Sequence, residues 1–338
     1  MHFQAYPVRL AVLMLAMFFH GNAISQQTEE RDIREMDYLL YLPPGYTKDT
    51  TKIWPMLVYL HGAGETGHDL ERLKARGLPS VIAGGRNFPF IIASPQTDTI
   101  FRWETDELYH FVLDMSKKYR VDQNQIWLSG ISMGGFGVWS MAISHPELFA
   151  AIVPISGGGD SSRAWRLKYM PVWCFHRESD AGVPLSGDRQ MMDALKKYKP
   201  NNRFTIYPGN YHGSDHDAWT EAYNTDSLYT WLLAQKKFAF HEIKVSPKQL
   251  QKFAGVYVTP DDPADSVMIV VQGESIKFIA PDHGGNTLEL KASAENVFFI
   301  STDWLATVEF AADRTGKISR LIIMDIADDK RLYYNKRN

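Results

Sequence analysis

Cysteine is nearly absent from this sequence of 338 residues, which contains only Cys174. A single cysteine excludes an intrachain disulfide, and no cysteine near the amino terminus is available to carry a lipid anchor. Cys174 lies in the apolar run PVWCFH, so we interpret it as a buried core residue rather than a reactive thiol. Stability is therefore expected to rest on the hydrophobic core.

A strong bias of charge is also missing. The formal net charge is −3, with 22% charged and 45% hydrophobic residues. This balance provides no broad basic surface for nucleic acid. The composition is that of a soluble globular protein, and the length suggests two domains or one large one.

The apolar run at the amino terminus, residues 10–19, is too short to span a bilayer, which needs about 20 residues. It follows the basic residue Arg9 and precedes small residues that allow cleavage after Ala23 or Ser25. We predict a signal peptide at residues 1–25, with a buried amino-terminal helix as the alternative. The mature protein is expected to be secreted or periplasmic, without a membrane anchor.

Apolar runs alternate with helix-like segments over residues 26–242. Several runs, such as PMLVYLHG and PFIIASP, are apolar throughout, as in parallel strands covered on both faces. This alternation predicts a mostly parallel α/β sheet flanked by helices. The helix candidates are Glu104–Tyr119, Met133–Ser144, Leu185–Tyr198 and Asp217–Lys236.

The pattern changes near Ile243–Pro247. About eight short β-type runs follow at a spacing of roughly ten residues, separated by turn signals such as HGGN and DRTGK. We predict a small antiparallel barrel or sandwich over residues 247–338.

The stretch QIWLSGISMGGFGVW contains two serines, Ser129 and Ser132. Ser132 is at the centre of a G-x-S-x-G motif between a strand-like and a helix-like segment, whereas Ser129 is interpreted as the last strand residue. A nucleophile at such a junction needs a very tight turn, and therefore glycine on both sides. We predict that Ser132 is a catalytic nucleophile.

A serine nucleophile needs a general base and a carboxylate that orients it, which follow the serine in the order acid, then histidine. Asp180 follows the strand-like run PVWCFH, and His212 and His216 follow FTIYPG. Both loops lie at carboxyl ends of predicted strands, where open α/β sheets place their sites. Asp160 and Glu178 are alternative acids, and the residues alone do not separate the two histidines.

The segment HGSDH also has a spacing that suits metal ligands, with Asp215 and Asp217 beside the histidines. A third group of ligands is not evident, and the serine motif explains a histidine better, so we predict no metal and no cofactor. The oxyanion needs two donors. We assign these to the amides of Met133 and of Ala63, in a loop HGAG that His61 is expected to brace.

The motifs YLHGAGETG, GISMGGFGVW, PVWCFHRESDAGVP and HDAW resemble those of secreted bacterial α/β-hydrolase serine esterases. This group is related to feruloyl-esterase-like, phospholipase/carboxylesterase and dienelactone-hydrolase-like enzymes, and is often described as prolyl-oligopeptidase-like. The resemblance covers about Tyr38 to Lys237. It implies a triad of Ser132, Asp180 and His216, because the family's acid precedes x-x-V-P and its base opens H-D-x-W.

The sequence departs from that family at Arg177, where a glycine is usual, so the acid loop or the charge of the cleft is expected to differ. The carboxyl-terminal segment resembles, more loosely, the lipocalin-like barrels of some secreted hydrolases. It is expected to stabilise or shield the enzyme, with ligand binding as the alternative.

The sequence thus predicts an exported esterase acting on a small-molecule or polysaccharide-linked ester, such as an acetyl or hydroxycinnamoyl ester. One alternative is a serine peptidase, which the lack of a preceding propeller disfavours; another is a non-catalytic carbohydrate-binding relic. Trp103 and Trp219 are candidate substrate contacts, although such aromatics more often belong to the core. The oligomeric state is not predicted.

Overall fold

The computed structural model describes residues 27–31, 36–198, 201–211, 213–281, 286–300, 303–325 and 330–337. The signal peptide predicted at residues 1–25 and the alternative base His212 lie outside these residues. Within them, no helix is long and apolar enough to cross a membrane. Because the predicted signal peptide lies outside the described residues, export stays a prediction.

The first part of the described chain forms an eight-stranded sheet in the order β1-β2-β4-β3-β5-β6-β7-β8. Neighbouring strands from β4 to β8 in this order are parallel, whereas β1 and β2 join antiparallel at one edge. The predicted α/β sheet is confirmed. The strands are β1 Thr28–Arg31, β2 Asp37–Tyr41, β3 Trp54–Leu60, β4 Ile91–Pro95, β5 Val121–Ile131, β6 Ala151–Ile155, β7 Trp173–Arg177 and β8 Arg203–Tyr207.

Helices cover both faces of this sheet, as its apolar strands require. They are α1 Gly77–Ala83, α2 Thr105–Lys118, α3 Met133–Ser144, α4 Ser186–Leu195, α5 Trp219–Tyr223 and α6 Asp226–Ala234, with short 3-10 helices at Ala63–Glu65, Leu70–Ala75, Pro146–Leu148 and Ser161–Leu167.

The sequence predicted one helix over Asp217–Lys236, and this was wrong. The chain breaks there between α5 and α6, because Thr225 adopts an extended conformation with φ −86° and ψ 108°. The break lets the amino-terminal part of the segment serve the site while the rest packs on the sheet. Helix α1 was not predicted.

Two apolar clusters lie on opposite faces of the sheet. One contains residues of α2, α3 and α4, with Phe111, Trp139 and Met191 among its buried members. The other contains residues of α1, α5 and α6, including Trp219 and Tyr223. Burial on both faces rigidly fixes the strand ends from which the candidate site is built.

The carboxyl-terminal part forms a closed antiparallel barrel of eight strands within the described residues. Side chains fill its core, among them Leu250 of the short helix α7 (Pro247–Leu250) and Phe253 of the following 3-10 helix (Gln251–Phe253). The strands are β9 Gly255–Val258, β10 Ser266–Gln272, β11 Ser275–Ala280, β12 Asn286–Ala294, β13 Val297–Ile300, β14 Asp303–Ala312, β15 Ile318–Asp325 and β16 Lys330–Lys336.

Aromatic stacking connects the two parts through the intervening segment. The Phe238 ring stacks on Tyr169 with centroids 3.9 Å apart, and the Phe240 ring stacks on Phe299 of the barrel at 4.7 Å. Leu250, Leu290 and Phe298 also line a cavity of about 700 Å³ between the barrel and the segment before it, so a stabilising or shielding role stays a prediction.

Candidate active site

Ser132 lies on the sharp turn between β5 and α3. Its backbone has φ 52° and ψ −116°, a strained conformation for a residue other than glycine. The turn requires glycine on both sides. A Cβ on Gly130 would lie 2.5 Å from the Gly134 oxygen, and one on Gly134 would lie 2.1 Å from the Leu60 oxygen. The sequence motif therefore has the geometry predicted for it.

Three of the predicted side chains form one hydrogen-bonded line. His216 Nε2 is 2.9 Å from Ser132 Oγ, and His216 Nδ1 is 2.7 Å from Asp180 Oδ2. The acid follows β7, and the histidine lies in the loop between β8 and α5. This is the arrangement of a nucleophile, a general base and an orienting carboxylate.

The Asp180 carboxylate is fully buried, whereas the His216 side chain is 25% exposed. The other oxygen of Asp180 accepts hydrogen bonds from the amides of Gly182 and Val183 at 2.9 and 2.8 Å. Burial raises the pKa of Asp180, but the His216 hydrogen bond, the Val183 amide and the neighbouring imidazoles outweigh it, and the pKa is lowered overall. The acid is therefore held in its ionised form.

The loop after β3 places a second set of amides beside the serine. Gly62 approaches Ser132 so closely that a Cβ at position 62 would lie 3.5 Å from the serine Cβ. The Gly62 amide is occupied, since it donates to Glu65 Oε2 at 3.1 Å. The amides of Ala63 and Met133 belong to the first residues of their helices and have no intrahelical acceptor. They are therefore the candidate oxyanion donors, as the sequence predicted.

His61 lies at the base of this loop and is fully buried. Its Nδ1 is 2.6 Å from the Gly62 oxygen, and its Nε2 is 3.1 Å from the Thr97 amide nitrogen. An amide can only donate and a carbonyl can only accept, so the ring is neutral with its proton on Nδ1. Burial lowers the pKa of His61 to about 4. This imidazole connects the loop to the segment after β4.

The other candidates lie apart from this line. Ser129 is buried, and its hydroxyl is hydrogen-bonded to Val153 O and the Tyr223 hydroxyl. Asp160 is exposed and caps a 3-10 helix, and Glu178 is exposed. In the described part of the chain, no group of three or more His, Cys, Asp or Glu side chains is arranged to hold a metal ion.

Both tryptophans predicted to contact substrate are buried. The Trp103 indole donates to the His61 carbonyl at 3.2 Å. Trp219 lies edge-on to the His216 ring, with centroids 5.0 Å apart. Each therefore packs against a part of the site, and their contact with substrate stays a prediction.

Arg177, the departure noted in the sequence, is buried and holds the loop that carries the base. Its guanidinium donates to Asp217 O at 2.9 Å, to Pro208 O at 3.0 Å and to the Glu221 carboxylate. It thus binds both ends of the segment 208–217. Its positive charge is paired with Glu221. Its hydrogen bonds to Pro208 O and Asp217 O hold the loop that carries His216.

We expect Arg177→Gly to lower kcat by about ten- to a hundredfold with little change in KM, because the base loses its alignment. Arg177→Lys is the matched control, since it keeps the positive charge but not the planar guanidinium. Its kcat should lie between those of the wild type and Arg177→Gly. Steady-state kinetics with a p-nitrophenyl ester, together with thermal unfolding, test this. A wild-type kcat in a folded Arg177→Gly variant would show that the guanidinium does not position the base.

Sequence reasoning missed the residues that support the oxyanion loop and the loop that carries the base. Glu65 is buried, supports the Gly62 amide and lies 3.7 Å from Arg76. Burial raises the pKa of this carboxyl, and the charge of Arg76 counteracts the rise. The segment GAGE, with glutamate three residues after a helix-capping position, was the available signal. No sequence signal pointed to the hydrogen-bond partners of Arg177, because they are distant from it in the sequence.

The chain is similar to several known proteins. Residues 93–231 match the phospholipase/carboxylesterase family. Over 121 residues the chain is 26% identical to poly(3-hydroxyalkanoate) depolymerase C of Paucimonas lemoignei, a match that spans 31% of this chain and 28% of the depolymerase.

Similar folds occur among solved structures. A thermostable esterase superposes with a TM-score of 0.53 at 29% identity, over 63% of each chain. The feruloyl esterase module from Clostridium thermocellum, complexed with sinapinate, gives a TM-score of 0.49 at 16% identity, over 64% of this chain and 90% of that chain. The chain thus spans less than two thirds of both the depolymerase and the thermostable esterase.

Proposed function

We propose that the chain hydrolyses carboxylic esters through a serine acyl-enzyme. The match of residues 93–231 to the phospholipase/carboxylesterase family and the similarity of the fold to that of a thermostable esterase support this proposal. The observation that carries the proposal is the continuous hydrogen-bonded line from Ser132 through His216 to Asp180. The family segment includes all three residues.

In the first half of the reaction, His216 Nε2 takes the proton of the Ser132 hydroxyl as its oxygen attacks the ester carbonyl. The Asp180 carboxylate holds the proton on Nδ1, which leaves Nε2 free to act as the base and stabilises the imidazolium that forms. The imidazolium then gives its proton to the departing alcohol. Water, activated by the same histidine, releases the acid from the serine.

The negative charge on the carbonyl oxygen develops between two backbone amides, those of Ala63 and Met133. Both are fixed before substrate binds, one by the Glu65 brace and the other by the start of α3. Fixed donors need no reorganisation when the charge forms, which is why such sites lower the barrier.

Ala63→Pro is expected to reduce kcat by about 10²- to 10³-fold, because it removes one oxyanion N–H and leaves the helix intact. Proline is favoured at the first position of a helix, and Gly62 before it has φ −80° and ψ 175°, a conformation that a following proline accepts. Ala63→Ser, which keeps the amide, measures the cost of changing the side chain alone. If the folded proline variant matched Ala63→Ser in kcat, the Ala63 amide would not be a donor.

The natural substrate of the exported enzyme is proposed to be an acetyl or hydroxycinnamoyl ester, such as one linked to polysaccharide. Phe136 supports an apolar or aromatic acyl group: it lies one helical turn after Ser132 and is 42% exposed. Two further exposed apolar side chains, Ile100 and Phe101, precede Trp103, which contacts the oxyanion loop.

A panel of acetyl, butyryl and feruloyl esters, measured beside peptide amides of matched acyl groups, tests the function. The proposal predicts ester cleavage far faster than amide cleavage, together with covalent labelling by a fluorophosphonate probe. Comparable peptide cleavage would favour the peptidase alternative. Failure to react with the probe would favour a non-catalytic relic.

A further inference from the structure

A second buried histidine–carboxylate pair lies behind Asp180. His176, in β7, has its Nδ1 2.7 Å from Asp188 Oδ2, and both side chains are fully buried. His176 Nε2 lies 3.0 Å from Val183 O and 3.4 Å from Asp180 Oδ2. His216 Nδ1 lies 2.7 Å from that same Asp180 oxygen. Two imidazoles therefore share one carboxylate oxygen.

The partners of His176 define its protonation state. The Val183 carbonyl can only accept, so Nε2 carries a proton. At Nδ1 the proton lies either on the ring or on Asp188. The Asp188 carboxylate also accepts from Trp139 Nε1 at 2.6 Å and from the Gly157 amide at 2.9 Å. Two such donors stabilise the ionised carboxylate, which leaves the proton on the ring.

The contrast with His61 shows that burial alone does not decide the charge. Both imidazoles are buried, but one nitrogen of His61 faces an amide donor, whereas both nitrogens of His176 face acceptors. Burial lowers the pKa of His176, but the bond and charge of Asp188, the Val183 carbonyl and the charge of Asp180 outweigh it, and the pKa is raised.

We propose that His176 is a buried imidazolium that acts as a positioning residue for the catalytic acid and base. It holds Asp180 ionised and opposes a second positive charge on the resting His216. The field of this cation is therefore expected to affect the acid limb of the pH profile of the proposed reaction. The inference rests on the proposed esterase function.

Other charged groups near the pair leave this sign unchanged. The Asp188 anion lies on the far side of His176 and offsets part of the field of the cation. The Cys174 thiol, which interacts with Asp188, is neutral because burial raises its pKa. The next residue along the strand, Arg177, faces the opposite side of the sheet, and its charge is paired with Glu221.

Replacement of the cation should move the pH profile of kcat/KM for a p-nitrophenyl ester. In His176→Gln, we expect the midpoint of the acid limb to rise by roughly one pH unit, because a nearby positive charge is lost and Asp188 is left unopposed. His145→Gln is the control, since His145 pairs with Glu147 away from the site and should leave the midpoint in place. An unchanged or lowered midpoint in the His176 variant overturns the proposal.

Two further measurements keep the test decisive if that variant does not fold. His176→Asn retains an amide that can donate to Asp188, and it should shift the acid limb in the same direction. Nitrogen-15 NMR of the wild-type protein reports the ring directly: both nitrogens of His176 should be protonated at pH 7, and a neutral ring overturns the inference. The NMR result does not depend on hydrolysis, so it stays informative even if a Ser132 variant shows the proposed function to be wrong.

Discussion

Ser132→Ala should lower kcat for ester hydrolysis by about 10⁴- to 10⁶-fold and abolish labelling by a fluorophosphonate probe. The hydroxyl oxygen is the atom that attacks the carbonyl, and the hydrogen bond that the hydroxyl donates to His216 Nε2 at 2.9 Å prepares it for that step. Alanine keeps the Cβ, so the strained backbone at φ 52° is not altered further. Esterase kinetics, probe labelling and thermal unfolding together measure the effect.

Ser129→Ala is the matched control, since it removes the other serine hydroxyl of the same stretch. It should retain activity and lose only about 1 kcal/mol in the free energy of unfolding, from the bonds to Val153 and Tyr223. If Ser132→Ala stayed fully active in a folded protein, the nucleophile assignment would be wrong.

Gly134→Ala should lower the free energy of unfolding by more than about 3 kcal/mol and remove esterase activity with it. The added methyl group would lie 2.1 Å from the Leu60 oxygen and 2.8 Å from the His61 oxygen. Both are backbone atoms at the end of β3, so α3 has to move away from the strand. That movement separates Ser132 from the oxyanion loop.

Gly84→Ala provides the comparison. Gly84 has φ −70°, and the nearest atom to an added methyl group is 3.4 Å away, so its substitution should change stability by less than about 1 kcal/mol. Denaturant unfolding and ester hydrolysis measure both variants. A Gly134 variant as stable and active as the Gly84 variant would contradict the close contact between α3 and β3.

The sequence predicted the parts of the molecule whose signal is local. The run of apolar strands and the bounds of α3 follow from hydrophobic pattern and from a motif whose glycines have one steric explanation. The split between α5 and α6 was missed although residues 224–227 read NTDS, four polar residues of the types that favour turns and helix starts, with Thr225 extended before α6.

The sequence and the tertiary structure contributed different parts of the site. Residue type and chain order placed Ser132, Asp180 and His216 at the ends of strands, and a parallel sheet brings such ends to one edge. The choice of His216 over His212 came from resemblance to a family.

The charge states and the supports of the site were decided by the fold alone. His61 and His176 are the same residue type in similar apolar runs, but one faces an amide and the other faces acceptors only. Arg177 likewise gains its role from Pro208 and Glu221, which only folding brings beside it. The protonation of these histidines and the alignment of the catalytic base depend on contacts between segments that are distant in the chain. A sequence pattern indicates only the local structure of neighbouring residues.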